Sequence, residues 1–435
     1  MLSIIGLLTI LTIILLLLWG KITPIIGLVV IPIIGALLAG FGFVEIADFY
    51  EQGIVKVMSV VIMFIFAILY FGVMQDVGLF DPIINKMIKI SGANVVAITT
   101  GTVIIASIAH LDGSGASTFL ITIPALLPLY RRLRMSPYLL LLLVGLSASI
   151  VNMVPWGGPL GRVGAILGKD PSVLWRPLIP VQIVGLVLAV AMAYVLGVRE
   201  KIRISRLGPA DEEIIDTPDE VKEQERNPTK HAHSDLLWVN FLLTAGTVGI
   251  LLWGVIPAGF TFMMALSIAL PLNFRKVEKQ MERIKAHAPN ALLMAAIILA
   301  AGSFLGILGG TGMLNSLAVD MVKFLPDMII TKLHLVIGFL GVPFEIILNT
   351  DAYYFALFPV IEQIVTSNGV DSLSATYAMV IGNIIGTFIS PFSPALWLAL
   401  GLAGCSMGKH IRYSFFWMWG FSIVLMIIAA LIGTF

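Results

Sequence analysis

Apolar runs of 17 or more residues, parted by short polar breaks, recur along the whole chain. That length lets an α-helix cross the hydrocarbon of a bilayer. The pattern predicts ten crossings, at 3–19, 22–43, 56–75, 137–167, 175–198, 236–253, 256–272, 290–308, 372–404 and 413–433. Two further apolar segments, 94–130 and 331–364, are interrupted near the middle by "HLDGSGAST" (110–118) and "EIILNTDAYY" (345–354). The spans 137–167 and 372–404 are too long for one straight crossing. Each holds a Gly- and Pro-rich break, "SASIVNMVPWGGPLGR" and "GNIIGTFISPFSPA".

Composition agrees with the pattern. Hydrophobic residues make up 59% of the 435, charged residues 12%, and the mean hydropathy is +1.02; a soluble protein carries about a quarter charged residues. A net charge of +1 gives no basic surface for nucleic acid, and the lone Cys405 forms no internal disulfide. The first 19 residues resemble a signal sequence without a basic start or a small-residue cleavage site, so a retained helix is expected. No His-Glu-x-x-His, nucleotide-binding loop or nucleophile elbow occurs, which argues against an enzyme.

The long hydrophilic stretch at 199–235 reads as a solvated linker; its His231 and His233 are more simply solvent-exposed than metal-binding. With this linker in the cytoplasm, twenty of the 26 Lys and Arg residues fall on the cytoplasmic side. Lys56, Arg162, Lys169, Arg176, Lys323 and Lys332 fall on the other. The positive-inside rule then places both termini outside the cell membrane. This requires 94–130 and 331–364 each to enter and leave by one face, as re-entrant hairpins.

The two halves match weakly but in order. Gly72 aligns with Gly306, Gly78 with Gly312, Pro124 with Pro359, Pro155 with Pro391 and Trp156 with Phe392. Five crossings per half invert the second repeat relative to the first, the architecture of secondary transporters. The expected fold is an all-α polytopic membrane protein: two inverted repeats of five transmembrane helices, each with a re-entrant hairpin and a broken helix. The first repeat covers 1–198, the linker 199–235, and the second repeat 236–435.

Unpaired backbone polar groups cost several kcal/mol each in hydrocarbon, so such breaks survive only inside protein or beside a wet cavity. Helix ends there expose N–H groups to carboxylates and C=O groups to cations. Asp112 and Asp351 lie at the two hairpin tips. An ionised Asp at that depth costs at least about 2.5–3.5 kcal/mol, so it normally holds a cation, a proton or a partner; capping a helix is the plainer alternative. His110 is a candidate proton relay or a structural histidine. Arg162 either pairs with a substrate carboxylate or anchors the interface. Glu345 is a second acid or a rim charge, and Asp76 a solvated or capping charge. Gly113, Ser114, Gly115, Ser117, Asn152, Gly157, Asn349, Thr350, Asn383, Thr387, Ser390 and Ser393 supply neutral donors, acceptors and open backbone for a substrate, though some must serve only the local backbone.

"AHLDGSGASTFLITIPALLPLYRRL", "NMVPWGGPLGR" and "LNTDAYYFALFPV", with the order of spans, resemble the citrate–divalent-metal:proton symporter (CitMHS) family of the ion transporter superfamily. The resemblance covers essentially the whole chain. It implies import of citrate complexed with Mg²⁺ or Ca²⁺, proton symport, a homodimer, and an elevator motion. On that analogy the moving transport parts are 56–169 and 290–404, and the scaffold is 1–55, 170–198, 236–289 and 405–435. The tips depart from the Ser-Asn-Thr of sodium-coupled dicarboxylate relatives, because each carries an acid. That suits proton coupling, or a carboxylate facing the metal of the complex, where hard oxygen ligands are expected. The alternative is a sodium/proton or other cation exchanger, or a sodium-coupled carboxylate carrier, on the same scaffold.

Overall fold

A computed structural model describes residues 1–19, 21–79, 82, 94–206, 236–253, 255–323 and 326–435. Lys86, Lys89, Lys222, Arg226, Lys230, His231 and His233 lie outside the described residues. Every regular element among the described residues is helical.

The first half begins with α1 (Leu2–Leu18) and α2 (Pro24–Leu38), followed by α3 (Phe43–Asp76). Thr23 caps α2 by accepting the Ile26 N–H, and Pro24 fits the first turn, where its missing N–H has no intrahelical partner. Then come α4 (Val95–Ala109), a 3₁₀ turn at His110–Asp112, and α5 (Gly115–Arg132), which packs against α4. α6 (Pro137–Val151), α7 (Gly158–Leu167), α8 (Pro171–Trp175) and α9 (Ile179–Arg206) complete the half.

The second half starts with α10 (Leu237–Trp253), α11 (Ala258–Asn273) and α12 (Val277–Gly310). The short helices α13 (Met313–Val322), α14 (Asp327–Ile330), α15 (Leu333–Phe339) and α16 (Gly341–Ile347) follow. A π-helical turn at Ala352–Leu357 runs into α17 (Phe358–Thr366), and α18 (Ser372–Ile384), α19 (Pro394–Ala403) and α20 (Met407–Ile432) end the chain.

Both long spans expected to be broken are broken, at 152–157 and 385–393. The second interrupted segment folds back on itself, with a bend of 115° between Gly341–Ile347 and Ala352–Thr366. In the first, Gly113 takes the left-handed conformation (φ 72°) that ends the 3₁₀ turn and lets the chain reverse.

Three boundaries differ from the sequence reading. The spans expected at 56–75 and 290–308 are the apolar ends of 34-residue helices, α3 and α12. At ~1.5 Å per residue each is ~50 Å long, well beyond a ~30 Å hydrocarbon core. Their opening turns carry charged and polar residues that lower hydropathy without opposing a helix, and Glu45 secures the start of α3 by accepting the Gly42 N–H at 2.8 Å. The linker expected from 199 begins later, since α9 continues to Arg206. Glu200 holds that end in place: it accepts the Ser136 N–H at 2.6 Å and pairs with Arg203 at 2.7 Å.

The core follows from polarity. α6 is buried at every residue from Leu139 to Val151, and α18 from Ala375 to Ile384. By contrast α1, α2, α9, α10 and α20 expose large apolar side chains, among them Leu8, Leu38, Val187, Leu242 and Ile427. So much exposed hydrocarbon suits a lipid environment. Five stretches are long and apolar enough to cross a bilayer individually: Phe43–Asp76, Val95–Asp112, Pro171–Arg206, Val277–Gly310 and Met407–Ile432. Six shorter apolar helices stand at the other expected crossings, while Val95–Asp112 and the bent pair lie in the two segments expected as re-entrant hairpins.

Candidate transport site

All four breaks open on one cavity of about 570 Å³. It is lined by the first hairpin tip (Asp112, Gly113, Ser114, Gly115, Ser117), the first break (Asn152, Trp156, Gly158, Arg162), the second tip (Asn349, Thr350, Asp351) and the second break (Thr387, Phe388, Phe392, Ser393). α3 and α12 close it with Phe64, Gln75, His287 and Asn290. The volume lies in the range that holds a small ligand.

The first tip is held by its own polar groups. Asp112 Oδ1 accepts the Ser114 N–H at 2.8 Å. Ser114 Oγ accepts the Ser117 N–H at 3.4 Å and the Ser117 hydroxyl at 3.1 Å, capping α5. Trp156 ties tip to break: its Nε1 donates to the Leu111 carbonyl at 2.8 Å, while its ring stacks on Phe71 with centroids 4.8 Å apart. Gly115 is pressed against Phe388 so closely that a Cβ would lie 2.4 Å from the ring.

At the other side Arg162 meets Asp351. Nη2 lies 2.7 Å and Nε 2.8 Å from the same oxygen, Oδ1. The guanidinium also sits 5.9 Å from the Phe355 ring centroid. Gly158 leaves room for it, since a Cβ there would fall 2.6 Å from Nη1. Asn349 Oδ1 caps the returning arm through the Ala352 N–H at 2.7 Å.

Four expected site residues do not line the cavity. His110 is buried behind the first tip, with Nδ1 2.7 Å from Thr118 Oγ1. Thr118 donates its own hydrogen to the Ser114 carbonyl at 2.8 Å, so the imidazole Nδ1–H is the donor to Thr118. Gly157 makes the tight turn after Asn152, whose carbonyl oxygen would lie 2.2 Å from a Cβ. Asn383 donates to the Gly341 carbonyl at 3.2 Å, and Ser390 accepts the Phe392 N–H at 3.4 Å. Their polar groups serve the backbone of the breaks. Glu345 is fully buried, which excludes a rim charge.

His287, Gln75 and Asn290 escaped the sequence reading. Asp76, read as solvated or capping, instead takes the His287 Nε2 at 2.9 Å and lies 3.5 Å from Arg283 Nη1. "RIKAHAPN" is the polar start of a helix whose apolar part alone reads as a span, so no periodic signal marked His287 as facing inward. Among the described residues, no three His, Cys, Asp or Glu side chains gather as a metal site.

Apolar helices around a polar cavity, where two hairpin tips and two broken helices meet, define a multi-pass membrane transporter. The chain belongs to the citrate transporter family (CitMHS), whose sequence pattern matches residues 7–382. Two proteins of Bacillus subtilis (strain 168) are each 36% identical over all of this chain and 99% of their own length: a "Citrate transporter" and a "Mg(2+)/citrate complex secondary transporter". The crystal structure of the Alcanivorax borkumensis YdaH transporter, described as having an unusual topology, is similar in fold. Its TM-score is 0.58 at 14% identity, covering 90% of this chain and 87% of that one. The family and these relatives are membrane transporters, not enzymes.

Proposed function

We propose that this protein is a secondary active transporter that imports citrate as a complex with a divalent metal ion, coupled to proton symport. The observation that carries this reading is the mixed charge of the cavity. Asp112, Asp351 and Arg162 share it with neutral hydroxyls and amides. Bare citrate is a trianion, and a single arginine already engaged by Asp351 is poor compensation for it. A citrate–Mg²⁺ complex carries one net negative charge and presents both signs. Its metal faces Asp112, a hard oxygen donor. Its free carboxylate faces Arg162, whose planar fork suits that group. Ser114, Ser117, Asn152, Asn349, Thr350, Thr387 and Ser393 supply the remaining contacts. The relative named for a Mg²⁺/citrate complex supports the same substrate.

The transport cycle in this reading is an elevator. The halves act as inverted repeats, with 56–169 and 290–404 moving against a scaffold of 1–55, 170–198, 236–289 and 405–435 in a homodimer. Both termini lie outside the cell membrane and the linker that follows α9 lies in the cytoplasm.

The test is uptake of labelled citrate into proteoliposomes under an imposed pH gradient, with and without Mg²⁺ or Ca²⁺. The expected result is accumulation that needs both the metal and the gradient. Uptake indifferent to metal removes the complexed substrate; sodium-driven uptake at uniform pH removes proton symport.

A further inference from the structure

Behind the second tip lies a second polar cluster, sealed from the cavity. Glu345 on α16 is 0% exposed. Its Oε2 accepts the Thr350 hydroxyl at 3.3 Å, but Oε1 has no hydrogen-bond partner. Asn383 on α18 is equally buried and lies on the same helix seam, where a Cβ on Gly341, one turn before Glu345, would fall 2.5 Å from the Asn383 N. Its Nδ2 is committed to the Gly341 carbonyl, while its Oδ1 also has no partner. Glycines allow the contact: a Cβ on Gly386 would lie 2.9 Å from Glu345 Cβ, and one on Gly382 would lie 2.0 Å from the Gly338 carbonyl oxygen.

Buried polar atoms are rarely left unpaired, and each such atom calls for an explanation. Here two acceptors of one buried seam lack a hydrogen. A protonated Glu345 brings one, which an ionised carboxylate cannot.

We infer that Glu345 is the residue that carries the coupling proton, in a dry pocket one step behind the substrate cavity. This rests on the proton-symport reading above. The charged and titratable groups around Glu345 are Arg162 from α7, Asp351 at the tip, and Tyr353 and Tyr354 from the π-helical turn. Loading adds one proton to the carboxylate, and release to the cytoplasm restores it. Arg162 links the two sites, because it pairs with Asp351 and its charge also acts on Glu345. A substrate carboxylate that draws on Arg162 leaves less positive charge to stabilise an ionised Glu345. Substrate and proton therefore favour one another's binding, as symport requires.

The test uses Glu345→Gln in proteoliposomes beside the wild type. The amide keeps the shape of the acid and a hydrogen to donate, so it mimics a permanently protonated residue. Two assays are run: exchange of labelled for unlabelled Mg²⁺–citrate at equal pH, and accumulation driven by a pH gradient. The expected result is exchange within about twofold of wild type and gradient-driven accumulation reduced at least tenfold. Wild-type accumulation in the variant overturns the assignment. Loss of both activities makes Glu345 structural and also overturns it. If the wild type exchanges citrate but ignores the pH gradient, the proton-symport reading itself fails, an outcome the variant is not needed to reveal.

Discussion

Arg162 and Asp351, 189 positions apart in sequence, form an ion pair in which Nη2 and Nε converge on Oδ1 at 2.7 and 2.8 Å. The pair joins the first broken helix to the second hairpin tip, so it couples the halves of the chain directly beside the cavity. Both side chains are nearly buried, at 11% and 14% exposure. Removing one partner of a buried pair leaves the other charge uncompensated, at a cost of about 3–5 kcal/mol. Arg162→Ala should therefore abolish citrate uptake and lower the melting temperature in detergent. Arg162→Lys should fail to restore uptake, because an ammonium cannot offer two donors in one plane. The double variant Arg162→Ala/Asp351→Asn should melt higher than Arg162→Ala alone. Strict additivity of the two losses would show that the pair is not coupled.

Asp112 separates structure from charge in a different way. Its Oδ1 accepts the Ser114 N–H, a role an amide oxygen fills equally well. Asp112→Asn should therefore insert and fold normally, and lose metal-dependent citrate uptake by at least tenfold. Wild-type uptake in this variant would confine Asp112 to holding the turn.

The apolar pattern carried the architecture because a bilayer enforces it. Spans, hairpins and breaks all stand out when each interruption is costly, and both acids at the tips were legible as Asp112 and Asp351. Partnering was not. That Arg162 meets Asp351, or that Asn383 turns its amide to the Gly341 carbonyl, depends on how distant segments pack, which local sequence does not encode. The polar openings of α3 and α12 were missed for a related reason: hydropathy registers the apolar part of a helix and is blind to its continuation. His287, which lines the cavity and meets Asp76, lies on such a continuation.

Those two long helices also carry the last prediction. Gly302 and Gly306 on α12 are four residues apart, a spacing that lets helix backbones approach closely in membranes. Facing them on α3 is Gly53, where a Cβ would lie 2.0 Å from the Gly302 carbonyl oxygen and 2.8 Å from Gly306 Cα. Both obstacles are backbone, so no side-chain rotation relieves the clash. The helices must separate, giving up contact along α3 and α12, which hold Gln75 and His287 at the cavity. Overpacking of this kind costs about 1–3 kcal/mol. Gly53→Ala should lower the melting temperature and reduce uptake, and Gly53→Leu should do so more severely. Gly246→Ala, on α10 where nothing outside the helix's own backbone lies within 4 Å of the added carbon, serves as the control and should be at least as stable as the wild type. Equal stability of Gly53→Ala and Gly246→Ala would mean that α3 and α12 do not meet through these glycines.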